Sequence, residues 1–79
     1  MNKLFGIYRA RVENNLDPEM TRRLQVMAPE VMGDAAVAWA SACVPVGSEE
    51  QPALGSDVWL TFEGGDPNYP VWIGVRPSR

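Results

Sequence analysis

Apolar side chains recur at every second position in short bursts, and turn-forming residues end each burst within a few positions. A period of two places alternate side chains on opposite faces of an extended chain, so β-strands, not helices, are the units this sequence specifies. The first strand is expected over Phe5–Glu13, with Tyr8, Ala10 and Val12 on one face and Arg9, Arg11 and Glu13 on the other. Asn14–Pro18 supplies turn chemistry, since Asn and Asp tolerate left-handed backbone and Pro18 has no N–H for a ladder. The second strand is expected over Arg22–Ala28, with Leu24, Val26 and Ala28 apolar and Arg23 and Gln25 outward, and Pro29 ends it. Glu30–Val37 reads either as a loop around Met32–Gly33–Asp34 or as one helical turn in the alanines that follow. The third strand is expected over Trp39–Val46, followed by a polar loop from Gly47 to Pro52 that carries Glu49 and Glu50. The fourth and fifth are expected over Asp57–Glu63 and Val71–Arg76. Five short strands with closely spaced turns indicate an all-β chain folded as a small antiparallel barrel, in one domain over residues 1–79.

The last two strands form the most explicit unit. Val58, Leu60 and Phe62 share one face of strand four, and strict alternation puts Val71, Ile73 and Val75 on the matching face of strand five. Between them Gly64 and Gly65 offer positive φ, Asp66–Pro67 starts a type I turn with Asp66 as its cap, and Pro70 precedes the strand. The same alternation turns Trp59, Trp72 and Gly74 outward. Two indoles on an outer face are costly to leave in water. They either cover a barrel end or pack under the N-terminal residues, or form a contact with another protein.

At 79 residues the chain buries only about 60 to 65 % of its unfolded surface, so support from a partner chain or a larger assembly is expected. One cysteine, Cys43, allows no internal disulfide, and it reads as a small buried apolar group within an alternating strand. The absence of histidine removes the commonest general base and zinc ligand, and no spacing of carboxylates suggests a calcium loop. No enzymatic constellation, metal site or cofactor is expected. No signal peptide and no membrane-length apolar run is visible, so stable membrane insertion is not expected.

Gly55, Asp57, Val58, Leu60, Phe62, Glu63, Gly65, Asp66, Pro67, Pro70, Val71, Trp72 and Gly74 together form a pattern. It resembles the hallmark hairpin of the oligosaccharide/oligonucleotide-binding (OB) domain of phage baseplate assembly protein V, shared by tail-spike proteins of contractile phages and valine-glycine-repeat spike proteins of type VI secretion. Upstream, Phe5–Val12 with Asn15–Pro18, Arg23–Val31, and Ala38–Pro45 resemble the family's first three strands. The resemblance implies a five-stranded OB-like barrel and a mechanical role on the axis of a contractile tail, joining a baseplate hub protein to a membrane-piercing tail spike. It implies a virion location, with assembly in the host cytoplasm. Family members trimerise through a following needle. Here the sequence stops at Arg79 after the last strand, so trimerisation through a needle is not carried over. The expectation is a hub adaptor, plug or mount, with a homotrimer left open.

The expected contact surface is Trp59, Trp72 and Tyr69, with Arg9 and Arg11 as polar support. Arg9, Arg11, Arg22 and Arg23, all expected on strands one and two, also allow a second reading as a cytosolic OB module for single-stranded nucleic acid. The formal charge of −3 disfavours it, because phosphate neutralisation supplies most of the affinity of such modules. A solvated strand face, or pairing with an acidic hub surface, accounts for the same arginines.

Overall fold

The computed structural model describes residues 3–33, 37–45, 47 and 51–77. Among these residues it forms β1 (Tyr8–Asn14), β2 (Leu24–Met27), the single helical turn α1 (Pro29–Met32), β3 (Ala38–Ala42), β4 (Asp57–Phe62) and β5 (Pro70–Val75). A 3-10 turn, Glu63–Gly65, follows β4. The strands close into a barrel in the order β1-β2-β3-β5-β4. The all-β, five-stranded, OB-like barrel expected from the sequence is therefore the fold. Four strand contacts are antiparallel, and the fifth, β3 with β5, is parallel through Ser41 opposite Val71 and Ala42 opposite Trp72. That parallel seam arises because β4 intervenes in sequence between the two strands that close the sheet.

Alternation holds for the first, second and fourth strands. Ala10, Val12, Leu24, Val26, Ala28, Val58, Leu60 and Phe62 are all buried, together with Ala40 and Trp72. Each large side chain so enclosed contributes about 1.5–3 kcal/mol of transfer free energy. Tyr8 meets Phe62 edge-on at 5.9 Å between ring centroids.

Strand five corrects the sequence reading. Trp59 lies opposite Gly74, and Leu60 lies opposite Trp72, so Ile73 is an extra residue on β5. Such a bulge shifts the side-chain phase by one position. Pro70 and Trp72 therefore face the interior while Val71 and Ile73 are only half-buried and Val75 is exposed. Trp72, expected on the outer face, is fully buried, and its indole N–H donates to the carbonyl of Arg22 at 3.0 Å.

The remaining differences have local causes. Residues 5–7, expected in strand one, form a strap without ladder pairing: Leu4 N–H donates to the Gly65 carbonyl at 2.8 Å, and the Thr61 hydroxyl donates to the Gly6 carbonyl at 3.2 Å. The Phe5 ring lies so close to Gly65, where φ is 77°, that an added Cβ would sit 2.6 Å from it. The helical turn sits at Pro29–Met32, before the alanines, because proline at N1 lacks only a donor the helix does not use; Ala35 and Ala36 lie outside the described residues. The third strand ends at Ala42, so Cys43 is exposed beyond it and not a buried apolar group. Val46, Glu49 and Glu50 lie outside the described residues. Arg22, with φ of 66°, and Arg23 precede β2 and do not belong to it. The 64–69 turn forms as read: Gly64 and Gly65 have positive φ, Tyr69 N–H donates to the Asp66 carbonyl, and Asn68 N–H donates to the Asp66 side chain.

The inward phase of β5 predicts unequal tryptophans. Trp72→Ala is expected to cost about 3–5 kcal/mol in urea unfolding, the range for deleting a large buried ring. Trp59→Ala is expected to cost less than half of that. Equal losses would contradict the bulge.

Candidate functional site

The outward residues of β1, β4 and the end of β5 form one continuous face. Arg9 and Arg11 project from β1, where their burial alternates with that of Ala10 and Val12. Asp57 and Trp59 project from β4 for the same reason. Register pairing sets Arg9 opposite Trp59, Trp59 opposite Gly74, and Arg11 opposite Asp57. The bulge is what returns Gly74 to this face one residue after Ile73.

Most charges on the face are matched. Arg11 Nε donates to Glu13 Oε2 at 2.8 Å, and Arg76 Nη1 donates to Asp57 Oδ2 at 3.2 Å. The Arg76 guanidinium also lies over the Trp59 ring, 5.7 Å from its centroid, and the Arg76 N–H donates to the Asp57 carbonyl. These contacts hold the half-buried indole in place. The Arg9 side chain is exposed, and among the described residues it has no hydrogen-bond or ion-pair partner.

Of the expected contact residues, the structure thus brings together Arg9, Arg11 and Trp59. Trp72 is removed to the core by the bulge. Tyr69 is 59 % exposed but lies apart, in the 64–69 turn, where it borders a hollow with Lys3, Glu63, Gly64 and Asp66.

A second feature escaped the sequence reading, which took Asp17 only as a turn residue. Its side chain is 4 % exposed and gathers the whole loop between β1 and β2. Glu19 N–H donates to Oδ1, and Thr21 N–H, the Thr21 hydroxyl and Arg23 N–H donate to Oδ2. Arg23 Nη2 donates to Oδ1 at 2.8 Å, and its guanidinium lies 4.8 Å from the Trp39 ring centroid. The Arg23 guanidinium is the main cause holding the Asp17 carboxyl well below the usual carboxylate range; backbone donors and the Thr21 hydroxyl add to it, and desolvation opposes it. Asp17 in turn raises Arg23. Asn15 Nδ2 donates to the Pro52 carbonyl and Gln51 Nε2 to the Asn15 carbonyl, which ties the 51–52 segment to this loop. The two segments border a groove of about 510 Å³ whose lining includes Leu24 and Trp72. The Asp17–Thr21–Arg23 spacing was a usable signal, because an Asp with a Thr four residues on can close a loop on its own carboxylate.

The family model of the type VI secretion system/phage-baseplate injector OB domain matches residues 8–76. The chain belongs to this family. The match takes in all five strands, the Asp17 loop and the Arg9–Trp59 face. No curated protein sequence matches the chain. The injector OB family is one of structural baseplate and spike domains, not a known enzyme family, and this places the chain with phage tail or secretion machinery in a baseplate-type structural role. No helix among the described residues is long and apolar enough to cross a membrane.

The Asp17 loop predicts an acid-side signature. Its carboxyl titrates lower when folded than its ordinary value of 3.8, so its contribution to stability is complete above that value and falls as pH drops below it. Asp17→Asn is expected to lower thermal stability at pH 7. It should also flatten the dependence of stability on pH below about 4, read by thermal melts across pH.

Proposed function

We propose that this chain is an axial adaptor of a contractile injection machine, joining the baseplate hub protein to the tail spike. The match of the injector OB family to residues 8–76 is the observation that carries this reading, and the Arg9–Trp59 face supplies its contact surface. The reading places the protein in the tail baseplate of a virion, assembled in the host cytoplasm. Trp59 is the anchor: an indole half-exposed on a strand, held by Arg76, loses little side-chain entropy when covered. Arg9 and Arg11 border it and steer approach. Tyr69 forms a separate contact at the strap end of the barrel, and Trp72 acts from the core by shaping β5.

Co-expression of the chain with the hub protein of the same machine tests this. Trp59→Ser is expected to leave the barrel folded, by circular dichroism and an unchanged Trp72 environment, while weakening hub binding at least about tenfold, the usual cost of truncating an aromatic anchor. Unchanged hub binding would remove Trp59 from the contact surface.

A further inference from the structure

We infer that the row Arg9–Trp59–Gly74 is a recognition site for an acidic protein segment that carries an apolar side chain next to its carboxylate. The inference rests on the adaptor reading and specifies the chemistry of the partner that this face takes.

Three observations carry it. The first is charge. The chain is net −3, yet among the described residues its β1–β4–β5 face holds three arginines, Arg9, Arg11 and Arg76, against two carboxylates, Glu13 and Asp57. Both carboxylates are engaged, with Arg11 and Arg76, and the Arg9 side chain has no ion-pair partner among the described residues. The excess positive charge of the face is thus localised at one end of the row. An acidic partner neutralises it, and a basic one meets an unmatched guanidinium.

The second is shape. Trp59 stands between Arg9 and Gly74 on neighbouring strands. A Cβ added at Gly74 would meet no atom within 4 Å, so the sheet is bare beside the indole. An apolar side chain laid over Gly74 packs on Trp59 while its neighbour's carboxylate reaches Arg9, a span of about 10 Å across two strand spacings. The third is closure. The barrel is continuous from β1 through β4, so no strand edge on this face can accept an added strand. Recognition must use side chains, and the row offers one cation, one indole and one open seat.

The test uses the isotope-labelled full chain and three probes. These are a blocked pentapeptide alternating glutamate with leucine and phenylalanine, its lysine-for-glutamate counterpart, and an all-thymidine single-stranded oligonucleotide. The acidic peptide is expected to shift the amides of Arg9, Trp59 and Gly74 and the Trp59 indole N–H. Its binding should weaken about tenfold between about 0.02 and 0.2 M salt, as exposed charges become screened. Arg9→Glu is expected to abolish these shifts without changing the melting temperature, and Arg9→Lys to retain most of them. Equal shifts from the lysine peptide would overturn the inference, as would shifts confined to the Asp17 groove. Tighter binding of the oligonucleotide at the row would overturn it in favour of nucleic acid. Movement of the same signals with protein concentration alone would assign the face to a second copy of the chain. Hub binding that depends on Trp59 while the acidic peptide leaves the row unshifted would overturn the acidic-partner chemistry and leave the adaptor role standing. Peptide binding at the row by a chain that fails to bind the hub at all would overturn the adaptor role and leave the acidic-partner chemistry standing.

Discussion

Trp72 fixes the arrangement of everything around it. Its ring is the largest fully buried side chain, and its indole N–H reaches the Arg22 carbonyl, so the group fills the interior and leaves no donor unmet. To place it there the chain inserts Ile73 as an extra residue between the Leu60–Trp72 and Trp59–Gly74 pairs. One local irregularity thus has two outcomes: a tryptophan turned into the core, and a glycine turned out beside a second tryptophan. In a chain of this size, where few large side chains are available, enclosing one more ring is a substantial share of the hydrophobic driving force.

The hydrogen bond from Trp72 also ties the core to the β1–β2 loop. Arg22 and Met20 both hold positive φ without being glycine, a conformation that persists only when surrounding contacts over-determine it. Those contacts are the Asp17 carboxylate with its converging donors, the Arg23–Trp39 stack and the Trp72 anchor. The loop is therefore shaped by interactions that reach two strands of the barrel, β3 through Trp39 and β5 through Trp72, while Leu16 and Met20 stand in water at 71 % and 89 % exposure. The outer face is organised by the same logic with different partners. Arg76 and Asp57 brace Trp59, Glu13 occupies Arg11, and the Arg9 side chain has no ion-pair partner among the described residues.

The proposed mechanical role on a tail axis suits this construction. The closed sheet offers no strand edge, so it resists unintended pairing with neighbouring chains in a crowded assembly. Contacts with neighbours then depend on side chains held firmly by the barrel. The injector OB family supplies the setting for such contacts, and the Arg9–Trp59 row is the place proposed for one.

Much of this was legible in the residues alone. Alternation in Ala10–Val12, Leu24–Ala28 and Val58–Phe62 determined which side chains face inward, because a half-buried strand admits only one phase. The glycine pair at 64–65 and Asp66–Pro67 determined the last turn, because those backbone conformations are written in residue type. Arg9 and Trp59 could likewise be placed outward, because no bulge separates them from their strand's apolar set. Three features depended on the tertiary structure: the phase of β5, the parallel β3–β5 seam and the Asp17 cluster. A bulge is a choice between two phases that both place apolar groups inward, Val71–Ile73–Val75 or Pro70–Trp72. Only the volume left inside the closed barrel, and the carbonyl of Arg22 waiting fifty positions away in sequence, makes the tryptophan the better occupant.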